Sequence, residues 1–243
     1  GRIVAAPTAG SCGILPAALI TMQEEKGCSD HDCVMALFTA SAVGMVIANN
    51  ASLAGAQGGC QAECGSAAAM AAAAITELAG GTPHMVSQAV AIALKNILGL
   101  VCDPVAGLVE IPCIKRNASG VAGAFVAAEM ALAGIDSAIP ADEVIWSMKR
   151  IGDVMSPTLK ETAEGGLAAT PTGRKLHDQV FGPGNVSGGC SGCSGGYISA
   201  GQYFKAVRQS PEYGNGTVHH PSTVTGEARR KTFIRKDRSG MRE

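Results

Sequence analysis

Aromatic side chains are scarce in this 243-residue chain: Phe, Tyr and Trp together make up 4%, and Trp occurs once. A core with few rings has to be filled by Ala, Val, Ile, Leu and Met, and small side chains let helices approach closely. Charge is sparse as well, at 16% against the typical quarter, so much of the surface is expected to face a partner. A net charge of -1 gives no case for nucleic acid as a global partner. Period-two alternation, the mark of a half-buried strand, is missing before residue 176. No apolar run reaches the roughly 20 residues of a membrane span; Cys33 to Ala48 falls about one turn short and runs into Asn49-Asn50. No membrane role is expected. An even cysteine set is also lacking. Nine thiols without a signal peptide do not read as a disulfide framework, so the expectation is a cytoplasmic protein whose reduced thiols ligate metal or fill the core. The chain begins Gly1-Arg2-Ile3-Val4 without a Met, as a piece of a longer polypeptide would.

What is present is organised around Asn49 to Cys64, a polar, glycine-rich break between two apolar segments that ends on a thiol. Glycine lets backbone approach a bulky ligand, and loops held between rigid elements are where function concentrates. Two further thiols, Cys102 and Cys113, frame a later loop. The two loops are expected to close on one inorganic cofactor.

The helical signals run in order. Thr8-Ala9-Gly10-Ser11-Cys12-Gly13 is a small polar turn before a helix over 14–26, which has Pro16 in its first turn and Gly27 past its end. Ser11 reads as its N-cap, and the turn offers free N–H groups to an anion such as a substrate carboxylate. Ser29-Asp30-His31-Asp32 has the pattern of a capping box, followed by a helix over 33–48 that is apolar on nearly every face. Further helices are predicted over 64–78, from Pro83-His84 to about Val101, from Asn117 or Ser119 to Ala133, and from Pro140 to about Met155. His84 reads as a hydrogen-bonded structural histidine, and Cys28 and Cys33 as core thiols. The fold expected is all-α, a bundle of Ala/Gly-rich helices over residues 1–180 with functional loops between them. Residues 181–243 form a separate Gly/Ser-rich and then basic tail. The body carries 10 basic against 15 acidic residues up to 176 and the rest 9 against 5, so the two parts differ in charge sign.

Cys60, Cys102 and Cys113 are separated by 42 and then 11 residues, which is no zinc-ribbon pair of knuckles. Widely spaced thiolates in loops suit an iron–sulfur cluster, and three ligands leave one iron open as a Lewis acid. Spacing alone leaves the plainer reading standing, in which each cysteine is a buried hydrophobe.

Three longer stretches sharpen this: Gly1 to Pro16, Asn49 to Gly65, and Gly99 to Cys113 with Lys115-Arg116-Asn117 after it. Met148 to Gly152 and Thr162 to Ala168 extend them to about residue 176. Together they resemble the α subunit, or α domain, of the iron–sulfur-dependent bacterial L-serine dehydratases. The resemblance implies an all-α domain, a [4Fe–4S] cluster on Cys60, Cys102 and Cys113, and conversion of L-serine to pyruvate and ammonia, a step of amino-acid catabolism feeding gluconeogenesis. Cys64 is the rival to Cys60 as ligand. Iron takes the serine hydroxyl, a base removes the α-proton, and aminoacrylate then hydrolyses. No pyridoxal phosphate is implied; Lys95, Lys115, Lys149 and Lys160 lie in no Schiff-base context. Thr8, Ser11, Cys12 and Gly13 together with Asn49, Asn50 and Gln57 are the implied substrate-binding residues, with helix capping the alternative for the asparagines. No residue is assigned as general base. The implied partner is a β subunit or domain of the α/β type, with a homo-oligomer also possible. Cys190 and Cys193 are candidates for a fourth-iron ligand or incidental loop thiols. The rival functions are a related lyase acting on L-cysteine and a non-catalytic subunit that needs its partner.

Overall fold

The computed structural model describes residues 4–184, and among these it is all-helical. The helices are α1 (Ile14–Lys26), α2 (Asp30–Asn50), α3 (Gly55–Gly58), α4 (Ser66–Leu78), α5 (Pro83–Lys95), α6 (Cys113–Leu132), α7 (Ala141–Val154) and α8 (Pro171–Phe181), with a π-helical turn over Gln61–Gly65 leading into α4. Helix α4 is the axis. Its sequence, Ser66-Ala67-Ala68-Ala69-Met70-Ala71-Ala72-Ala73-Ala74-Ile75-Thr76, is buried at every one of those positions, and α1, α2, α5 and α6 pack around it. Alanine makes this possible, since it has the highest helix propensity and adds almost no girth between neighbouring backbones. The core expectation holds: no ring stands among the fully buried side chains of the described residues.

Helix α2 departs from expectation twice. The capping box forms, with Ser29 Oγ accepting from the Asp32 N–H and Asp32 accepting from the Ser29 N–H, and this starts the helix three residues before Cys33. Asn49 and Asn50 stay helical, Asn50 donating to the Val46 carbonyl, so the helix has 21 residues rather than 16. By length and composition it is therefore long and apolar enough to cross a membrane, the one such helix among the described residues. It is also not buried on nearly every face. Cys33, Ala36, Ala40, Gly44 and Ile47 form a single inward stripe, while Val34, Met35, Leu37, Phe38, Met45 and Val46 are exposed. Its main neighbour, α4, lies on one side and covers that stripe.

Three other boundaries move. Helix α5 stops at Lys95 rather than near Val101, because Gly99 takes a left-handed φ of 85° and its N–H bonds to Gln61 Oε1 instead of continuing the helix. Helix α6 starts at Cys113 after Pro112, so neither Asn117 nor Ser119 is its cap. Helix α8, capped by Thr170 with Pro171 at its first position, was not foreseen. His84 does hydrogen-bond, to Asp136 at 3.0 Å.

Between α3 and the π-turn, Gly59 has φ 77° and ψ -179°, a region essentially closed to other residues. A Cβ there would stand 2.6 Å from Met155 Sδ and 2.9 Å from the Leu100 carbonyl oxygen. Gly59→Ala is expected to destabilise the chain by about 2–5 kcal/mol, read as a lower midpoint in chemical denaturation.

Candidate active site

Each of the three sulfurs sits on or beside an irregular segment. Cys60 precedes the π-turn, and π-turns recur at functional sites. Cys102 lies on an extended stretch held by two backbone bonds: its N–H donates to the Leu159 carbonyl, and its carbonyl accepts from the Glu161 N–H. Cys113 opens α6. All three are buried, at 2%, 4% and 8% exposure, as is Cys64 at 2%.

Their electrostatics place them together. Burial pushes the Cys102 thiol up, and Glu63, Glu161, Cys60 and Cys113 push it further. Cys113 is pushed up to about 11 by burial and by Cys60, with Arg116 pulling the other way. Cys60 alone is lowered, first because the Cys64 thiol, 3.4 Å away, hydrogen-bonds its ionised form, and then because the Arg116 guanidinium is adjacent. Cys64 is pushed up by its contact with Cys60 and by burial. Arg116 is itself held by a 2.8 Å ion pair to the buried Asp103 and a 2.9 Å bond to the Val101 carbonyl. The second Asp103 oxygen accepts from the Leu167 N–H at 2.8 Å, which ties residues 166–169 to the cysteine loop. Three non-glycine residues with left-handed φ, Ala106 (57°), Glu161 (65°) and Ala163 (58°), lie in these same segments. Such strain persists where surrounding structure over-determines it, as active sites do.

Among the described residues, no three His, Cys, Asp or Glu side chains meet closely enough to hold a single metal ion. The donor set is instead three separate buried thiols: Cys60 and Cys113 oppose the ionisation of Cys102, Cys60 opposes that of Cys113, and Arg116 favours the ionised Cys60 and Cys113. A mononuclear site does not fit that arrangement. A polynuclear cage does, because its ligands stand apart on different corners and its positive irons favour the thiolates.

Of the residues expected to bind substrate, one group reaches these sulfurs and the other lies elsewhere. Thr8, Ser11, Cys12 and Gly13 form the turn before α1. Ser11 is buried and is not an N-cap; its hydroxyl pairs with Thr8 Oγ1 at 2.9 Å, and the N-cap position falls to Gly13. The Gly13 N–H is not free for an anion either, since Asn117 Oδ1 accepts it at 3.0 Å. Asn117 Nδ2 donates to the Gly10 and Cys113 carbonyls, so this one amide braces the turn against the start of α6. Gly10, Cys12, Gly13, Cys113 and Asn117 line a cleft of about 320 Å³. Asn49 and Asn50 are exposed at the end of α2. Gln57 accepts from the Ser52 hydroxyl and lines a different cleft, of about 280 Å³, with Lys149, Asp153 and Lys160. Cys190 and Cys193 lie outside the described residues.

The side chain that joins the turn to the sulfurs is Glu63, on the π-turn. Its carboxylate faces the Thr8 hydroxyl and the Gly55 N–H, both of which favour its charged form. A Cβ at Gly55 would stand 3.1 Å from Glu63 Oε2 and 3.0 Å from Cys102 Sγ, so only glycine lets the loop come this close to both. Burial and the nearby Glu161 raise the Glu63 pKa above the usual carboxylate value. No Lys, Arg or His pairs with it among the described residues.

Residues 1–168 match the family described as serine dehydratase alpha chain. The chain belongs to that family. A probable L-serine dehydratase alpha chain of Bacillus subtilis is 60% identical over 182 residues, 75% of this chain and 61% of that protein. Its counterpart in Latilactobacillus sakei is 58% identical over 182 residues, covering 75% of this chain and 87% of the relative. The L-serine dehydratase alpha chain of Peptoniphilus asaccharolyticus is 52% identical over 176 residues, 72% of this chain and 60% of that one. The sequence thus spans about three fifths of the Bacillus and Peptoniphilus proteins. The family match contains every sulfur and carboxylate described above, and α8 lies beyond it. Glu63, Asp103, Arg116 and Glu161 carried no role in the sequence reading. The one signal available was position: Glu63 sits between Cys60 and Cys64, and Arg116 three residues after Cys113.

Proposed function

We propose that this chain is the cluster-binding α chain of an L-serine dehydratase that converts L-serine to pyruvate and ammonia. The observation that carries the reading is the convergence of three buried, mutually repelling thiols with the Glu63 carboxylate and the Thr8–Gly13 turn. Cys60, Cys102 and Cys113 would hold a [4Fe–4S] cluster, and Arg116, fixed by Asp103, would offset the charge of the Cys60 thiolate. When bound, the cluster supplies a Lewis-acid iron that turns a poor hydroxyl leaving group into a good one. The chain's own residues do the rest. The cleft beside Cys113 takes the small substrate, with Asn117 holding the shape of its wall. Glu63, unpaired by any base and aimed at the junction of turn and sulfurs, is the group placed to accept the α-proton.

The relatives named alpha chain imply a second chain in those proteins. We propose an α/β-type β subunit for this one too, whether or not the chain also forms a homo-oligomer. Seven described cysteines, all unpaired, favour a reducing compartment such as the cytoplasm.

Anaerobic reconstitution with iron, sulfide and the β partner tests the reading, with absorbance and bound iron measured beside pyruvate formation from L-serine and from L-cysteine. Cys60→Ser, Cys102→Ser and Cys113→Ser are each expected to lose bound iron and at least about a hundredfold in turnover. Preference for L-cysteine would reassign the substrate. Retention of both signals in all three variants would sink the ligand set.

A further inference from the structure

The proposed function leaves the buried thiol beside Cys60 idle. Cys64 is not among the three proposed ligands, yet its sulfur is 3.4 Å from that of Cys60. The contact is built by the chain's local geometry: the two residues are four apart across the π-turn, which puts their side chains on one face. The two sulfurs need close only from 3.4 Å to the roughly 2 Å of a disulfide bond. One thiol of the pair is directly reachable by a small molecule, and Arg116, the guanidinium beside Cys60, lines the same space. A cavity of about 620 Å³ between the end of α5 and α6 is lined by Cys64, Asn96, Gly99, Arg116 and Ser119, and it opens beside this thiol.

We propose that Cys64 is the resolving thiol of Cys60, closing an intramolecular Cys60–Cys64 disulfide when the cluster is absent and a peroxide enters that cavity. The step balances. The Cys60 sulfur attacks the peroxide O–O bond, giving a sulfenic acid and one water. The Cys64 sulfur then displaces the sulfenic oxygen, which leaves with the Cys64 proton as a second water. Two thiols lose two electrons and two protons, and the peroxide is reduced to two waters. The disulfide stops the ladder there, whereas a sulfenic acid with no partner goes on to sulfinic acid, which thiols do not reverse. The closed pair holds Cys60 away from iron but in a form a dithiol reopens. The second part of this rests on Cys60 being a cluster ligand, as proposed above.

The test uses the full chain freed of iron by a chelator, treated with hydrogen peroxide, alkylated and mapped by mass spectrometry, with iron uptake measured before and after dithiothreitol. Wild type is expected to yield a peptide linking Cys60 to Cys64, two hydrogens lighter than the dithiol form, to refuse iron, and to recover uptake fully with dithiothreitol. Cys64→Ser is expected to take up iron like wild type before peroxide, but to recover about tenfold less of it afterwards, with Cys60 found as sulfinic acid. Cys64→Ala serves the same purpose should the serine variant fold poorly. No linked peptide, a link to a different cysteine, or full recovery of the Cys64 variants would overturn the proposal. A wild-type chain that takes up no iron before peroxide speaks against the proposed function alone, because the linked peptide is read without iron.

Discussion

Glu63→Gln is expected to lower turnover of L-serine by about 10²–10⁴-fold, the usual worth of a positioned general base, while bound iron and the cluster spectrum stay unchanged. Glutamine is the informative replacement. Its amide has nearly the shape of the carboxylate and can still face the Thr8 hydroxyl and the Gly55 N–H, so the turn, the loop and the Cys102 sulfur are expected to keep their places. Only the ability to take a proton is removed. The pH profile supplies a second readout. Burial and Glu161 disfavour the charged carboxylate, so the Glu63 pKa is raised. A base works only when deprotonated, so activity is expected to fall as pH drops through that raised value, above the ordinary carboxylate range. This acid limb is expected to disappear in the variant's residual activity. Turnover within about tenfold of wild type would remove Glu63 from the chemistry and leave it a brace for Thr8.

Asp103→Ala is expected to cost about 3–5 kcal/mol of stability. Asp103 is 3% exposed and faces the Arg116 guanidinium at 2.8 Å, with Arg116 itself only 18% exposed. Removing the carboxylate leaves that cation largely desolvated, with the Val101 carbonyl as its remaining oxygen contact and Cys60 beside it. The Leu167 N–H loses its acceptor too, which loosens the segment that lies against the cysteine loop. Two further variants separate these contributions. Asp103→Asn keeps an oxygen for Leu167 and is expected to cost less. Adding Arg116→Met to Asp103→Ala is expected to restore part of the loss, because it removes the stranded charge. Denaturation midpoints read all three, and a cost below about 1 kcal/mol for Asp103→Ala would contradict the buried-pair account.

Several features were legible in the chain because their causes are local. Alanine-rich segments without period-two alternation become helices wherever they pack, and α4 and α7 fall within two residues of their expected limits. The Ser29–Asp32 capping box formed because four consecutive residues suffice to build it. The Cys102–Cys113 loop was visible as a glycine- and proline-rich break between thiols, and the family resemblance drawn from it and its neighbours proved right.

Other features depend on contacts that no window of sequence contains. Asn117 has the composition of a helix cap, but residues 10 and 13 reach it across the fold, and the amide spans them instead. Asn49, Asn50 and Gln57 share the functional stretch with Cys60, yet the end of α2 and the α3 loop turn them away from the Thr8–Gly13 turn. An apolar helix does not announce which of its sides is covered, so α2 read as buried throughout although it packs along one stripe. The end of α5 was set by a hydrogen bond from Gly99 to Gln61, 38 residues away.

Residue order alone fixed the helical class, the alanine axis, the family and the three sulfurs worth watching, because propensity, capping and motif spacing are written along the chain. Folding in three dimensions decided that a glutamate should join a threonine turn to those sulfurs, that an arginine–aspartate pair should steady one of them, and that a fourth thiol should stand against it. Such meetings depend on how helices cross. Crossing is settled by packing among residues far apart in the chain, which a linear reading does not contain.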